Sequence, residues 1–305
     1  MDMPVILGQM GMLFILIAVG YLAGKFNVLP VEADKILSRL VLFITLPAKI
    51  LGSVMRGEVA ITGGDAVFFI LMTLLAFTIS HVIAILGARL LGGNKQDQGM
   101  YGYIAAYGNF GFMGLPVTYA IFGATATLYI ALTNLPFTLI IFSVGLILIS
   151  GQRRKFNFKI LLNPALLAIY ISLIIFLTGF NTPTVIANAT HMVGSITSPA
   201  AMLVIGLTLS RIPVKDVFLD WRLYPMAALR LIVIPIITWL ILRQIITDDL
   251  MLGVLVVISA MPTAAVGAMI AVEYGGNDRL ASSGVFLTTL LSGVTVPLIV
   301  FLLLT

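Results

Sequence analysis

The chain has 305 residues, of which 60% are hydrophobic and 10% charged, with a formal net charge of +5. A mean hydropathy of +1.15 excludes a soluble globular domain and makes a bilayer the main solvent. Cysteine is absent, which removes disulfide frameworks, thiolate metal sites and cysteine nucleophiles together.

An apolar helix of about 20 residues spans a hydrocarbon core of roughly 30 Å. Such runs fall at about 4–24, 36–55, 66–90, 99–122, 127–150, 160–179, 190–209, 223–246, 250–273 and 281–304. The first run follows Asp2 rather than a basic segment, and its Lys25 comes after the apolar stretch, so a retained helix is expected rather than a signal peptide. Alternate connections divide the basic residues unevenly. One side takes Lys25, Lys35, Arg39, Arg89, Lys95, Arg153, Arg154, Lys155, Lys159, Arg211, Lys215, Arg222 and Arg279, and the other takes Arg56 and Arg243. The positive-inside rule makes the richer side cytoplasmic, which puts both termini on the extracytoplasmic face of the plasma (inner) membrane. It also explains the pI of about 9.5, so no nucleic-acid partner is expected.

Within the second run, Pro47 is followed by Lys49, a cation that either faces a substrate carboxylate or snorkels to the interface. The third and eighth runs carry His81 and Arg230, each about two turns from the cytoplasmic end. Gating, counter-charge, carbonyl capping and pairing with lipid headgroups are all open to these two. The fourth run holds YGNFGFMGLP (Tyr107–Pro116), with Gly108, Gly111, Gly114 and Pro116; the ninth holds SAMPTAAVGAM (Ser259–Met269), with Pro262 and Gly267.

These features recur at a shift of about 152 residues. ITLPAKIL (Ile44–Leu51) lies over ITSPAAML (Ile196–Leu203), and Gly102–Gly123 lies over Gly253–Gly275, with Asn109 one residue from Pro262. Five spans per copy is an odd number, so the copies, 1–152 and 153–305, enter from opposite faces. The expected fold is therefore an all-α membrane protein of ten spans, a 5+5 inverted repeat in which helices four and nine are broken.

Proline removes a backbone donor and glycine tolerates the unwound chain, so Gly108, Pro116, Pro262 and Gly267 read as helix-break residues. Unpaired backbone survives in a membrane only against protein or a wet cavity. The half-helices that restart there present N–H groups and a positive dipole end, which suits an anion. The residues placed at this site are Asn109, Phe110, Gly111, Met113, Pro262, Thr263 and Ala264, with Pro47 and Lys49 beside them. No Asp or Glu stands at a helix centre, which disfavours a proton relay through buried acids. Sodium held by carbonyls and hydroxyls stays open, and no other cofactor is expected. With two histidines, no phosphate-binding loop, no HExxH and no GxSxG elbow, neither a metal centre nor an enzyme is expected.

LPAKI, NFGFMGLP, Asn163-Pro164, PAAMLVIGLTL, LRLIVIP and MPTAAVGAMIAVEYGGN together resemble the auxin efflux carrier family, over nearly the whole chain. The resemblance implies a fold similar to that of bile-acid symporters. Helices one, two, six and seven would form a scaffold, often dimeric, so a homodimer through those helices is implied. Helices three to five and eight to ten would form a mobile transport domain, crossing at helices four and nine. The family's carboxylate-contacting asparagine matches Asn109. Asp65, His81, Arg230 and Glu273 are the candidates for gating or coupling. Gly108 and Thr263 stand where plant carriers show Pro and Gln, Phe69 replaces a lysine, and the long hydrophilic loop is missing, so a carboxylate smaller than auxin is implied. The expected function is secondary transport of a small organic anion by alternating access. The alternatives are a sodium-coupled symporter of an amphipathic anion and a membrane sensor that binds without transporting.

Overall fold

A computed structural model describes residues 3–30, 32–55, 63–123, 125–151, 162, 164–211 and 214–304. The basic link Arg153–Lys159 and Asn163 lie outside the described residues. A bilayer offers backbone groups no water, and the described residues answer with helices joined by short turns and breaks. In order they are α1 (Met3–Lys25); α2 (Ala33–Leu40) and α3 (Leu46–Met55), joined by a π-helical turn at Val41–Thr45; and α4 (Gly63–Leu90). Next, α5 (Lys95–Ala106) stops at a break, and a π-helical turn, Phe110–Gly114, leads into α6 (Leu115–Phe122). They are followed by α7 (Thr125–Ile140), α8 (Leu146–Ser150), α9 (Pro164–Thr178), α10 (Thr184–Ser195), α11 (Thr197–Leu209) and α12 (Val214–Leu219). Finally α13 (Leu223–Ala228) passes through a π-helical turn at Leu229–Val233 into α14 (Ile234–Leu242), α15 (Asp249–Ser259) stops at a second break, and α16 (Val266–Tyr274) and α17 (Asp278–Leu304) complete the chain.

Five helical stretches among the described residues are long and apolar enough to cross a membrane: Gly63–Leu90, Leu132–Ser150, Thr184–Leu209, Leu223–Leu242 and Asp278–Leu304. Their faces are arranged for lipid. On α4 the large apolar side chains Val67, Leu71, Val82 and Leu86 point outward, while Thr73, Ala76, Ser80, Ala84 and Ala88 are buried. A water-soluble helix would reverse this. In lipid, where apolar burial gives no advantage, small residues inside permit the close helix contact that holds the bundle together.

The helices form two bundles. In the first, α1 packs on α11, and α3 on α9 and α10. Glycine sets these distances: a Cβ on Gly206 would overlap the Ile17 carbonyl, one on Gly20 the Leu203 carbonyl, and one on Gly194 the backbone of Lys49. Lys49 Nζ donates to Ser198 Oγ at 2.5 Å, and Arg211 pairs with Asp34 at 2.7 Å. The second bundle comprises α4–α8 and α12–α17. There Tyr101 donates to Asp220 at 2.6 Å and Asn277 to Asp97 at 2.9 Å. Each of these polar ties stays inside one bundle. Between the bundles, Leu13, Ile17, Ala201 and Met202 share a buried apolar cluster with Met113, Val117, Met261 and Val296.

Candidate functional site

The two interrupted helices of the second bundle are built alike. Asn94 caps α5 by accepting from the Asp97 N–H at 2.7 Å, and Asp248 caps α15 by accepting from the Met251 N–H at 2.7 Å. At the far ends, Gly123 and Gly275 close α6 and α16 with φ of 75° and 78°, a conformation glycine adopts without steric cost. Between cap and closing glycine, each chain leaves the helix and the two extended segments cross.

At the crossing they pair as a short antiparallel bridge, Gly108 opposite Thr263. The Asn109 N–H donates to the Pro262 carbonyl at 2.6 Å and the Ala264 N–H to the Tyr107 carbonyl at 2.8 Å. Pro262 has no N–H to lose, so an acceptor-only position suits it. Thr263 is held on both sides: its N–H donates to Thr288 Oγ1 at 3.0 Å and its hydroxyl to the Ile104 carbonyl at 2.7 Å. Tyr103 donates to the Ala264 carbonyl at 3.2 Å. The broken backbone is therefore satisfied by protein, as a bilayer interior requires.

Arg230 lies beneath this bridge, 2% exposed. Its Nε donates to the Met261 carbonyl at 2.8 Å, Nη1 to the Ala106 carbonyl at 3.0 Å, and Nη2 to the Ser259 carbonyl at 2.9 Å. Longer bonds reach the carbonyls of Ala105 and Ile258 and the Ser80 hydroxyl. The last turns of α5 and α15 both end on this guanidinium. A Cβ at Gly108 would collide with it, which explains the glycine there.

On the other side of the crossing, the Met113 and Gly114 N–H groups return to the Asn109 carbonyl at 3.0 and 3.1 Å, restarting the helix. The first N–H groups of a new helix have no partner within it. Asn109 itself is 2% exposed, and its Nδ2 is buried with no hydrogen-bond partner. Aromatic rings wall the neighbourhood: Phe110 meets Phe137 at 4.3 Å, Tyr103 stacks on Tyr107 at 4.7 Å, and His81 meets Tyr107 edge-on at 4.8 Å. His81 Nδ1 lies 2.7 Å from the Phe77 carbonyl, while its Nε2 is buried without a partner. Two small cavities open here. One of about 20 Å³ touches Ser80, Gly108, Arg230 and Ser259, and one of about 10 Å³ touches His81, Tyr107, Gly108 and Phe137. Each has room for about one water molecule.

The structure thus brings together Gly108, Asn109, Pro262, Thr263, Ala264 and Arg230, with Phe110, Gly111 and Met113 in the turn that follows. It separates two of the expected break residues from the breaks. Pro116 stands in the first turn of α6, after the helix has already restarted at Phe110. Gly267 lies inside α16, where a Cβ would overlap the Tyr103 ring, so it serves packing. Lys49, two residues beyond Pro47 in α3, is bonded to Ser198 at the junction of α10 and α11. Asp65 is exposed in the first turn of α4, and Phe69 is buried against Tyr129 at 4.6 Å. The side chains of Pro116 and Glu273 fall outside the described residues. Two hydroxyls that sequence reasoning passed over, those of Thr45 and Thr197, are buried without partners just before Pro47 and Pro199. The alignment of ITLPAKIL over ITSPAAML already stacks these two threonines.

Comparison with known proteins gives a consistent result. A family profile described as "Membrane transport protein" matches residues 5–159 and 152–300. An "Uncharacterized transporter" of Methanothermobacter thermautotrophicus is 29% identical over 289 residues, covering 93% of this chain and 94% of the relative. An uncharacterized transporter of Methanocaldococcus jannaschii is 27% identical over 297 residues, covering 93% and 94%. A protein of Rhizobium meliloti named "Putative malonate transporter" is 25% identical over 302 residues, covering 95% and 93%.

Proposed function

The chain belongs to the membrane transport protein family, matched over nearly its whole length, and from that premise we propose that it is a secondary carrier of a small organic anion, working by alternating access. The observation that carries this reading is Asn109: a buried amide donor without a partner, at the start of a restarted helix whose dipole favours negative charge. Leaving such a donor unsatisfied is costly, and a carboxylate removes the cost. In this reading the substrate lies on Asn109–Met113 and Pro262–Ala264, and the first bundle supplies the facing wall through Pro47 and Lys49.

Alternating access is supported by the division of the molecule. Taken as spans, α1, α2–α3, α4, α5–α6 and α7–α8 make five, and α9, α10–α11, α13–α14, α15–α16 and α17 make five more. The Asn94 and Asp248 caps, and the Gly123 and Gly275 closures, recur at nearly the shift seen in the sequence, which supports an inverted repeat. Cavities that admit about one water at the crossing fit a closed state, and entry of a substrate then requires the second bundle to move against the first. Positive-inside asymmetry supports termini outside the cytoplasm, and the exposed apolar faces of the first bundle offer a surface for a second copy.

A protein named for malonate among the relatives makes short dicarboxylates the first probes. Thermal-shift measurements on the purified protein with malonate and other small carboxylates, with and without sodium, identify the ligand. Counterflow in proteoliposomes then tests the site. Asn109→Ala is expected to reduce the shift and slow the counterflow at a given acid concentration while leaving the unliganded midpoint near wild type. Unchanged uptake of every acid tested would sink the site assignment.

A further inference from the structure

Arg230 is a cation whose surroundings resemble an ion site more than an ion pair. It sits in the membrane-embedded second bundle, 2% exposed, and every described partner of its guanidinium is a main-chain carbonyl or the Ser80 hydroxyl. A guanidinium has five N–H groups, and the carbonyls of Ala105, Ala106, Ile258, Ser259 and Met261 engage all three of its nitrogens. No donor is left to grip a substrate. What the side chain does meet is the carbonyl end of α5 and the carbonyl end of α15, two negative dipole ends forced together by the crossing. Such converging oxygens, joined by a hydroxyl, are the ligand type that hard cations take.

We propose that Arg230 is a tethered counter-cation: it fills the place that a bound sodium or potassium ion would take at the crossing, and the carrier therefore needs no metal cation for its cycle. The charge that neutralises the two helix ends travels with the second bundle instead of being loaded and released. The same side chain links the turn before α14 to α4, α5 and α15, so these helices move as one piece. Arg230 is in this sense a positioning residue, and the flux part of the claim rests on the carrier reading above.

The test compares cations. Wild-type protein in detergent is expected to unfold at the same temperature in sodium, potassium and choline chloride of equal ionic strength, and malonate counterflow is expected to be the same in the three salts. Arg230→Ala is expected to lose counterflow and to unfold at a lower temperature in choline. Part of both is expected to return with guanidinium or methylguanidinium at millimolar, non-denaturing concentration, because the free ion can re-enter the carbonyl cage. Arg230→Lys, which keeps the charge with fewer donors, covers the case in which the alanine variant does not fold. It is expected to fold with a lowered midpoint that stays indifferent to the salt. A wild-type midpoint or flux that requires sodium overturns the proposal, and so does an alanine variant that matches wild type in choline. A wild-type midpoint indifferent to the salt, in a protein that moves no malonate, supports the tethered cation and sinks the malonate reading, so the two fail separately.

Discussion

The two bundles solve the same problem, cohesion without a hydrophobic drive: both bring helices close through small residues, and the second adds a hydrogen-bonded repair of its broken helices. In the first, helix backbones touch through Gly20, Gly194 and Gly206, as they do in the second at Gly99, where a Cβ would overlap the Leu148 carbonyl. In the second, the backbone is broken at two places and repaired by hydrogen bonds: the Gly108 and Thr263 bridge, the Thr288 and Tyr103 hydroxyls, and the Arg230 fork. Where they meet, the contact is apolar and carries none of these ties. The surface between the bundles is therefore the one with least to break in the proposed movement of one past the other.

That contrast can be broken residue by residue. The largest loss of stability is expected from Gly206→Val, where the new side chain meets the backbone of α1, which cannot yield. A cost of about 3 kcal/mol in unfolding is expected from such overpacking, with binding per folded molecule unchanged. Asn109→Ala reverses the pattern. Loss of a donor to a charged ligand is expected to weaken carboxylate binding by roughly 10- to 100-fold, read by titration calorimetry, with little change in midpoint. Gly108→Ala falls between, at about 1–2 kcal/mol, because the neighbour that must move is a side chain, Arg230, rather than backbone. Lys49→Met is expected to change binding by less than about threefold, since the amine is directed to Ser198 in the first bundle rather than to the crossing. A large loss there would move Lys49 from the wall into the site. The smallest effect is expected from Asp34→Asn, which removes a partly exposed ion pair with Arg211 and is expected to shift stability by less than about 0.5 kcal/mol.

How far the sequence could be read follows from which interactions are local. Helix breaks announce themselves through Gly and Pro, and the repeat set Asn109 one residue from Pro262, beside which the structure seats it. Membrane residence and the transporter class were legible from composition and motif. The role of Gly267 was not, because a glycine that admits the Tyr103 ring and one that breaks a helix look the same in one dimension. Pro116 misled in a related way: a proline in the first turn of a helix costs no hydrogen bond, so it marks a beginning as readily as an interruption. Arg230 stood out as a charge in an apolar run, but its partners are main-chain carbonyls on α5 and α15, and carbonyls leave no trace in residue identity. Lys49 and Ser198, 149 residues apart, meet through the packing of α3 on α10, which no local pattern encodes.

The central claim is that the second bundle moves past the first, and the cysteine-free chain gives a clean background for testing it. Gly293 in α17 faces the Phe14 ring in α1 across the boundary, whereas Gly24 faces Ser210 within the first bundle. Paired cysteines at positions 14 and 293, joined in proteoliposomes by a reducible bifunctional thiol reagent long enough to replace the Phe14 ring, are predicted to stop malonate counterflow, and reduction is predicted to restore it. The pair at 24 and 210, cross-linked to the same extent, is predicted to leave counterflow unchanged. Full counterflow with 14 and 293 joined would contradict the account, because the boundary it treats as the sliding surface would then be fixed throughout the cycle.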